Sequence, residues 1–384
     1  MSANWLILRT SAAYSGKLFP GCAPPGSFRG LRIHSNAEIV IKKILLGLLG
    51  VVIVLGIWQR DVLTYAFLQA KGQIGILMQV QEVDDVLADK AFPDSLKARI
   101  RLIQEIKKFG VDSLGLTPSD NYTTFYNQHG RPLIWLITAS ERYKIEPYQW
   151  HFPIVGTFPY KGYFDSTRAV TEEKTLIDNG LDTDIGEVSA WSTLGYLKDP
   201  ILSSMLRRRD GSLANLILHE LTHGTLFVKD NLELNENLAS FVGEQGTIRF
   251  LKYKYGVDSE QMRQYEYSKR YNDAYSRHML RGAGRLDSLY KTFGPNPAPS
   301  AQKDALKTRL ITDIVSDTDT LLSGKRTLTN KNRWPDGKLP NNAYFISYLT
   351  YKSKQDTFRQ EFEKKFEGDL KKYLNHLKGK YPSL

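Results

Sequence analysis

Cysteine is nearly missing from this sequence: Cys22 is the only one in 384 residues. A single thiol excludes an internal disulfide and any metal site built on cysteine pairs, so a bound metal must be held by histidine and carboxylate. Acidic residues are absent from the first 37 positions, where Arg9, Lys17, Arg29 and Arg32 stand unopposed until Glu38. The segment GCAPPGSFRG, residues 21–30, cannot hold a helix or strand for long. We read residues 1–38 as an extension outside the fold, a targeting peptide or, by preference, a stretch translated from an upstream start. No apolar run leads into Cys22, and Phe19, Pro20 and Gly21 make a poor lipobox, which sets a lipoprotein site aside. Internal repeats and nucleic-acid recognition motifs are also lacking. The net charge of +11 is spread along the chain, and its densest basic run, Lys364 to Lys380, alternates with glutamates and apolar residues as the solvated face of a terminal helix would. No nucleic-acid partner is expected.

What is present begins with a membrane signal. From Ile39 the chain reads IVIKKILLGLLGVVIVLGIW, in which Lys42 and Lys43 precede fifteen uncharged, mostly apolar residues ending at Trp58. A buried core helix would show polar positions at a helical period, and this run shows none. No small-x-small cleavage site follows Gly56, so residues 39–58 predict an uncleaved single-pass signal anchor rather than a removed peptide. Lysines on the N-terminal flank place the rest of the chain outside the cytoplasm, although Arg60 and Lys71 on the other flank weigh against this.

Residues 59–384 read as one α+β unit with two lobes, about 59–228 and 229–384. Leu96, Ile100, Ile103, Ile106 and Phe109 have helical spacing with a stop at Gly110. Strand-like runs follow: PLIWLI from Pro132, FPIVGTF from Phe152, and TDIGEVSAW from Thr183, with Ile185 and Val188 on a buried face. These form a small sheet region, and the chain after residue 223 is mainly helical.

Between the two lies HELTH, residues 219–223. On a helix His219 and His223 face the same way, so both imidazoles can reach one ion, with Glu220 beside them to take a proton from water. Leu213, Leu216, Ile217 and Leu221 supply the buried stripe, Asp210 or Ser212 the cap, and Gly224 the stop. One third-ligand pattern needs glycine three and histidine six residues beyond the second histidine; Leu226 and Lys229 stand there instead. The other takes a glutamate from a second helix. Asn235 is a natural N-cap for a helix starting at Glu236, and GTLFVKDNLEL is long enough to bring it back over the histidines. Glu236 is preferred; Glu233, placed before the helix, and Glu244, two turns along it, are the rivals.

HELTH followed by NENLASFVGEQG resembles a family of Gram-negative bacterial proteins designated putative zinc aminopeptidases, and through it the glutamate-zincin group that includes thermolysin. The resemblance covers most of the chain after the anchor, including YAFLQAKGQIGIL from Tyr65, WHFPIVGTFPYKGYF from Trp150, AWSTLGYLKDPIL from Ala190 and NNAYFISYLTY from Asn341. It implies a zincin-like metalloprotease with Zn2+ on His219, His223 and Glu236, and Glu220 as general base for peptide hydrolysis. In a Gram-negative setting, Lys42, Lys43 and the missing cleavage site predict an inner-membrane protein whose catalytic domain faces the periplasm. Tyr351, in the family-like C-terminal block, is the first candidate to stabilise the oxyanion, ahead of Tyr348 and His278. Ala190 and Trp191 stand where related enzymes pair an edge strand with the substrate backbone; His151 reads as a packing residue. The sequence departs from the group in three ways. Twelve residues separate His223 from Glu236, fewer than in thermolysin-like enzymes. Ser240 stands where an aspartate often orients a histidine. No Gly-x-Met-Glu-Asn stretch marks a seat for a free α-amino group. The alternatives are an endopeptidase of the same fold, or an inactive membrane-anchored binding protein that keeps the zinc site.

Overall fold

The computed structural model describes residues 2–4, 59–152, 156–188, 190–192, 198–229, 231–295, 297–321 and 339–381, with isolated positions 43 and 46. The predicted anchor at 39–58 therefore lies outside the described residues apart from Lys43 and Leu46, as does all but residues 2–4 of the predicted extension. Among the described residues no helix is long and apolar enough to cross a membrane. The chain divides into a unit of Leu6–Gly75 and a unit of Met1–Trp5 with Ile76–Leu384. Apart from residues 60–75 of the first helix after β1, everything below belongs to the second.

Its architecture is α+β and mostly helical. After β1 (Ser2–Asn4), α1 (Arg60–Leu77), β2 (Gln81–Glu82) and α2 (Val83–Ala88) comes α3 (Asp94–Phe109). The apolar spacing read from the sequence makes the buried face of α3, with Ile100, Ile103 and Ile106 fully buried. The α-helix ends as expected, with Gly110 at its C-cap, but Gly110 keeps a right-handed helical conformation. The chain continues as a π-helical turn, Gly110–Leu114, and ends at Gly115, whose φ of 81° only glycine adopts freely. Glycine at 110 serves packing instead: a Cβ there would meet Leu218 at 3.0 Å and Leu116 at 3.1 Å.

The strands are β3 (Thr124–Tyr126), β4 (Trp135–Ser140), β5 (Trp150–Phe152), β6 (Gly156–Phe158) and β7 (Lys161–Tyr163), then, after α4 (Ser166–Asp178), β8 (Asp182–Glu187), β9 (Ala190–Ser192) and β10 (Ile201–Leu202). They form small separate sheets. β4 sits between β7 and β8, antiparallel to both, with Ile137 opposite Lys161 and Ile185. β3 lies between β10, parallel, and β2, antiparallel. β5 and β6 pair with each other, and β9 pairs in parallel with β1. The strand predicted from Pro132 begins three residues later, at Trp135.

Then come α5 (Asp210–His223), α6 (Leu232–Tyr255), α7 (Glu260–Lys291), α8 (Ala301–Ser316), α9 (Asn342–Lys352), α10 (Gln355–Phe366) and α11 (Leu370–Lys380). Two apolar clusters hold the unit together. The larger joins α3, the β3 region, α5, α6 and the terminal α10 and α11; the smaller joins α7, α8 and α9 around Met279, Leu286, Ile314 and Phe345. α5, with Leu213, Ala214, Ile217, Leu218 and Leu221 all buried, runs through the larger one, so its position is fixed from several sides at once.

Candidate metal centre

α5 and α6 pack antiparallel along the connection Gly224–Asn231. Neither helix is capped as its sequence suggests. Arg209 is the N-cap of α5 and offers no side-chain bond, while Asp210, inside the first turn, pairs with Arg99 and accepts a hydrogen bond from Tyr255 at 2.7 Å. α6 starts at Leu232, and Asn231 caps it by accepting from the Leu234 amide at 3.1 Å; Glu233 consequently lies in its first turn, not before it. Asn235 is spent on the return loop: it donates to the Val228 carbonyl and accepts from the Val228 amide, both at 2.8 Å. The early start costs nothing at the site, because Glu236 still faces the histidines.

The approach is close. On α6, Gly243 lies against α5 so tightly that a Cβ would meet the Asn215 carbonyl at 3.0 Å and His219 at 3.2 Å. Glu236 is thereby carried to 3.3 Å from His219 Nε2 and 3.7 Å from His223 Nε2, and the two Nε2 atoms lie 3.3 Å apart. His223 and Glu236 are buried, and His219 keeps a 12 % exposed side chain. Among the described residues this trio is the one group of three or more such side chains able to hold a metal.

The donor chemistry fits a cation. Both Glu236 oxygens are buried without a hydrogen-bond partner among the described residues. A buried carboxylate without donors is costly, and imidazole nitrogens that turn lone pairs toward it add repulsion unless a proton or a metal ion lies between them. Two ligands held at the 2.0–2.1 Å typical of a tetrahedral ion stand roughly 3.3 Å apart, the separation found for two of the three pairs here. Electrostatics agree: although burial opposes it, the facing His223 and His219 hold Glu236 at a pKa of about 2. Burial works against His223 too, but Glu236 and Glu220 raise its pKa overall.

Glu220 is buried beside the trio with Oε2 unpartnered among the described residues. Burial pushes its carboxyl upward, with His219 and His223 pulling the other way. That is the setting of a group that takes and returns a proton.

The remaining sequence candidates fall in different places. Glu244, the rival ligand, is engaged by Lys269 and Lys352, each at 2.6 Å, and takes no part in the trio. Glu233 pairs with Lys354 at 2.9 Å and accepts from Ser353 at 2.6 Å. Ala190 and Trp191 are fully buried on β9, which packs beside α5; the Trp191 ring belongs to the larger apolar cluster. Tyr351 is half-buried near the end of α9. Tyr348 bonds to Tyr344 at 2.9 Å, and His278 bonds to the Ile314 carbonyl at 2.7 Å. His151 is no packing residue: it is exposed, with Nδ1 2.7 Å from the Thr157 hydroxyl. At His223 nothing among the described residues takes the part of an orienting carboxylate such as the aspartate missing at Ser240, for its Nδ1 is buried without a partner.

Two residues packed around the site escaped the sequence reading. Asn237, next to Glu236 and fully buried, donates to Glu233 and Thr350 carbonyls at 2.9 and 2.7 Å and accepts from the Lys354 amide at 2.9 Å. It thus ties the α9–α10 turn, with Tyr351, to the ligand helix. Tyr122 is fully buried with φ of 64°, its amide donating to the Asp199 carbonyl at 2.7 Å, and its phenol lies in the field of Glu220. An asparagine beside a motif carries a weak signal; a left-handed tyrosine carries none.

With this geometry in place, comparison with known families is informative. Residues 64–380 match the family described as "Putative aminopeptidase". The chain belongs to that family. Its matched span includes the trio, Glu220, Tyr122 and the α9–α10 turn, and membership supports a peptidase. Comparisons with curated proteins and with solved structures return no match.

Proposed function

We propose that this chain is a membrane-anchored, zinc-dependent aminopeptidase of the zincin type, with its catalytic unit facing the periplasm. The observation that carries the reading is the buried trio His219, His223 and Glu236, donor atoms turned toward one another and both Glu236 oxygens without a proton donor, beside the buried Glu220. A helix bearing HExxH that receives its third ligand from the next, antiparallel helix is the arrangement of the glutamate-zincin group.

His219, His223 and Glu236 would hold the ion. When bound, zinc supplies Lewis acidity, polarising a peptide carbonyl and making water more acidic. Glu220 accepts the proton that the attacking water loses and returns it to the leaving amine, and its burial raises the carboxyl toward the range that serves both steps. Burial also excludes competing water from that transfer. Tyr351 would donate to the developing oxyanion, and Asn237 fastens the turn that follows it to the helix of Glu236. Ala190 and Trp191 would meet the substrate chain only through the main chain of β9, one edge of which pairs with β1 while the indole stays in the core.

The test is a library of peptides with free and acetylated N-termini, incubated with protein of measured zinc content. Stepwise release from free N-termini, blocked by acetylation and by chelator and restored by zinc, is the expected result. Cleavage within acetylated peptides would convert the reading to an endopeptidase, and full zinc occupancy without any cleavage would overturn it. Tyr351→Phe should lower kcat by about 100-fold with little change in KM. For topology, protease added to spheroplasts should digest the catalytic unit, and protection would refute the periplasmic placement.

A further inference from the structure

α1 carries apolar side chains on its exposed face and carboxamides on its buried one. Leu63, Phe67, Ala70 and Ile74 follow one another at intervals of four, three and four residues, so on a helix they form a stripe about 60° wide and about 16 Å long. That stripe faces outward: Leu63 and Ile74 are 55 % exposed, Phe67 is 67 % exposed, and Ala70 is exposed as well. Gln69 and Gln73, by contrast, are buried along with Ile76. A helix that shows one face to water carries the reverse arrangement, with carboxamides outside and Phe, Leu and Ile inside. Single exposed apolar residues are ordinary, but a row of them along one helix face marks a surface that is covered in use.

Its place in the chain says what covers it. α1 begins at Arg60, two residues after Trp58, where the apolar run from Ile39 ends. Two residues span at most about 7 Å, so a chain that leaves a bilayer at Trp58 starts α1 at the lipid headgroups. From Ile44 to Gln81 the charged residues are Arg60, Asp61 and Lys71 alone. Arg60 and Asp61 pair with each other at 3.3 Å. Lys71 borders the stripe, is exposed and makes no ion pair among the described residues, so a basic group on a long flexible stem is left over for an anionic headgroup. A second copy of the chain is the poorer occupant: a specific protein interface takes roughly 20 residues on each side, and this stripe offers Leu63, Phe67, Ala70 and Ile74. For lipid a narrow face suffices, because an anchor holds the helix at the surface it binds.

We propose that the exposed face of α1 lies in the lipid surface, with Leu63, Phe67 and Ile74 at the level of the upper acyl chains and the Lys71 ammonium among the headgroups. The inference rests on the membrane-anchored part of the reading above and is independent of the peptidase. Full-length protein with Cys22→Ser receives one new cysteine, Leu63→Cys, Phe67→Cys or Ile74→Cys on the stripe, or Asp61→Cys about 120° round the helix from Phe67. All four positions are exposed, so an unchanged thermal transition checks the fold. Each variant is labelled with an environment-sensitive fluorophore and reconstituted into vesicles of phosphatidylethanolamine and phosphatidylglycerol, about three to one, with and without lipid spin-labelled near the glycerol end of its acyl chain. The spin label should quench the three stripe positions at least about twofold more than Asp61→Cys, with their emission shifted to the blue. Equal quenching at all four positions, or none on the stripe, would overturn the proposal. Disulfide-linked dimers through Phe67→Cys without quenching would give the face to a second copy and overturn it as well. Flotation with the vesicles separates this surface from the anchor. Protein that resists alkaline carbonate with its stripe unquenched keeps the anchor and loses the α1 surface, whereas a quenched stripe on protein that carbonate releases keeps the surface and loses the anchor.

Discussion

Glu236 and Glu244 stand two turns apart on one buried helix, each held at a pKa of about 2, yet their surroundings are incomplete in one case and complete in the other. Glu244 has an ammonium group on each oxygen, Lys352 on Oε1 and Lys269 on Oε2, both at 2.6 Å. Glu236 has two imidazoles at 3.3 and 3.7 Å and no hydrogen-bond donor among the described residues. A depressed pKa reports positive potential in both places. Only the hydrogen-bond count distinguishes a finished ion cluster from a carboxylate that still needs a cation.

The largest break in this comparison is Glu236→Ala. Metal content after dialysis, measured by plasma mass spectrometry, should fall to background, and hydrolysis should go with it; the loss should exceed the roughly 10- to 100-fold that removal of an outer partner of a ligand costs. Retained metal would show that the trio is not the site. Next is Glu220→Gln, which keeps the ligands and the volume but cannot take a proton. Zinc should stay while kcat drops about 10²- to 10⁴-fold, and an active Gln variant would move the general base elsewhere.

Glu244→Gln probes the other side. Metal content should not change, but Lys269 and Lys352 lose their charged partner in a mostly buried place, and urea unfolding should register a loss of about 3 kcal/mol. Its pH dependence has a defined sign. The folded pKa of about 2 lies below the ordinary 4.5, so the stabilisation is fully present above pH 4.5 and is lost as pH falls toward 2. The Gln variant should therefore flatten that acid limb; an unchanged limb would mean that other carboxylates carry it. The smallest effect is that of Asn237→Ala, which leaves every ligand in place and removes the tie to the α9–α10 turn. It should cost about 2 kcal/mol and lower kcat several-fold at constant metal content. A fall in metal content instead would show that Asn237 acts on Glu236 rather than on the turn.

Much of the site was legible because HExxH is local: helical spacing alone turns His219 and His223 toward one point with Glu220 beside them. Glu236 was legible through its distance from His223, though for the wrong local reason, since Asn231 rather than Asn235 caps the helix. Cap residues compete, and a side chain that can bond a nearby loop, as Asn235 does with Val228, leaves the cap to an earlier residue. Gly110 does end the α-helix, but the π-helical turn that follows and the approach of Leu218 to Gly110 were not legible, because nothing in the flanking sequence reports a neighbour more than a hundred residues away. The three strand-like runs fall within a few residues of β4, of β5 and β6, and of β8 and β9, while β2, β3, β7 and β10 went unread, and the assortment into small sheets depends on pairings such as Phe125 with Ile201 that periodicity does not encode.

Gly243 has a consequence for affinity. Because a hydrogen atom is all that fits between α6 and the Asn215–His219 stretch, the spacing of the donor atoms is set by main-chain contact rather than by adjustable side chains. A gap gauged by backbone is already at its working width before an ion arrives. Little of the binding free energy then goes into ordering the protein, and most of it appears as affinity. A single added methyl at this position would act like a shim, displacing one ligand helix against the other by a few tenths of an ångström without touching a ligand.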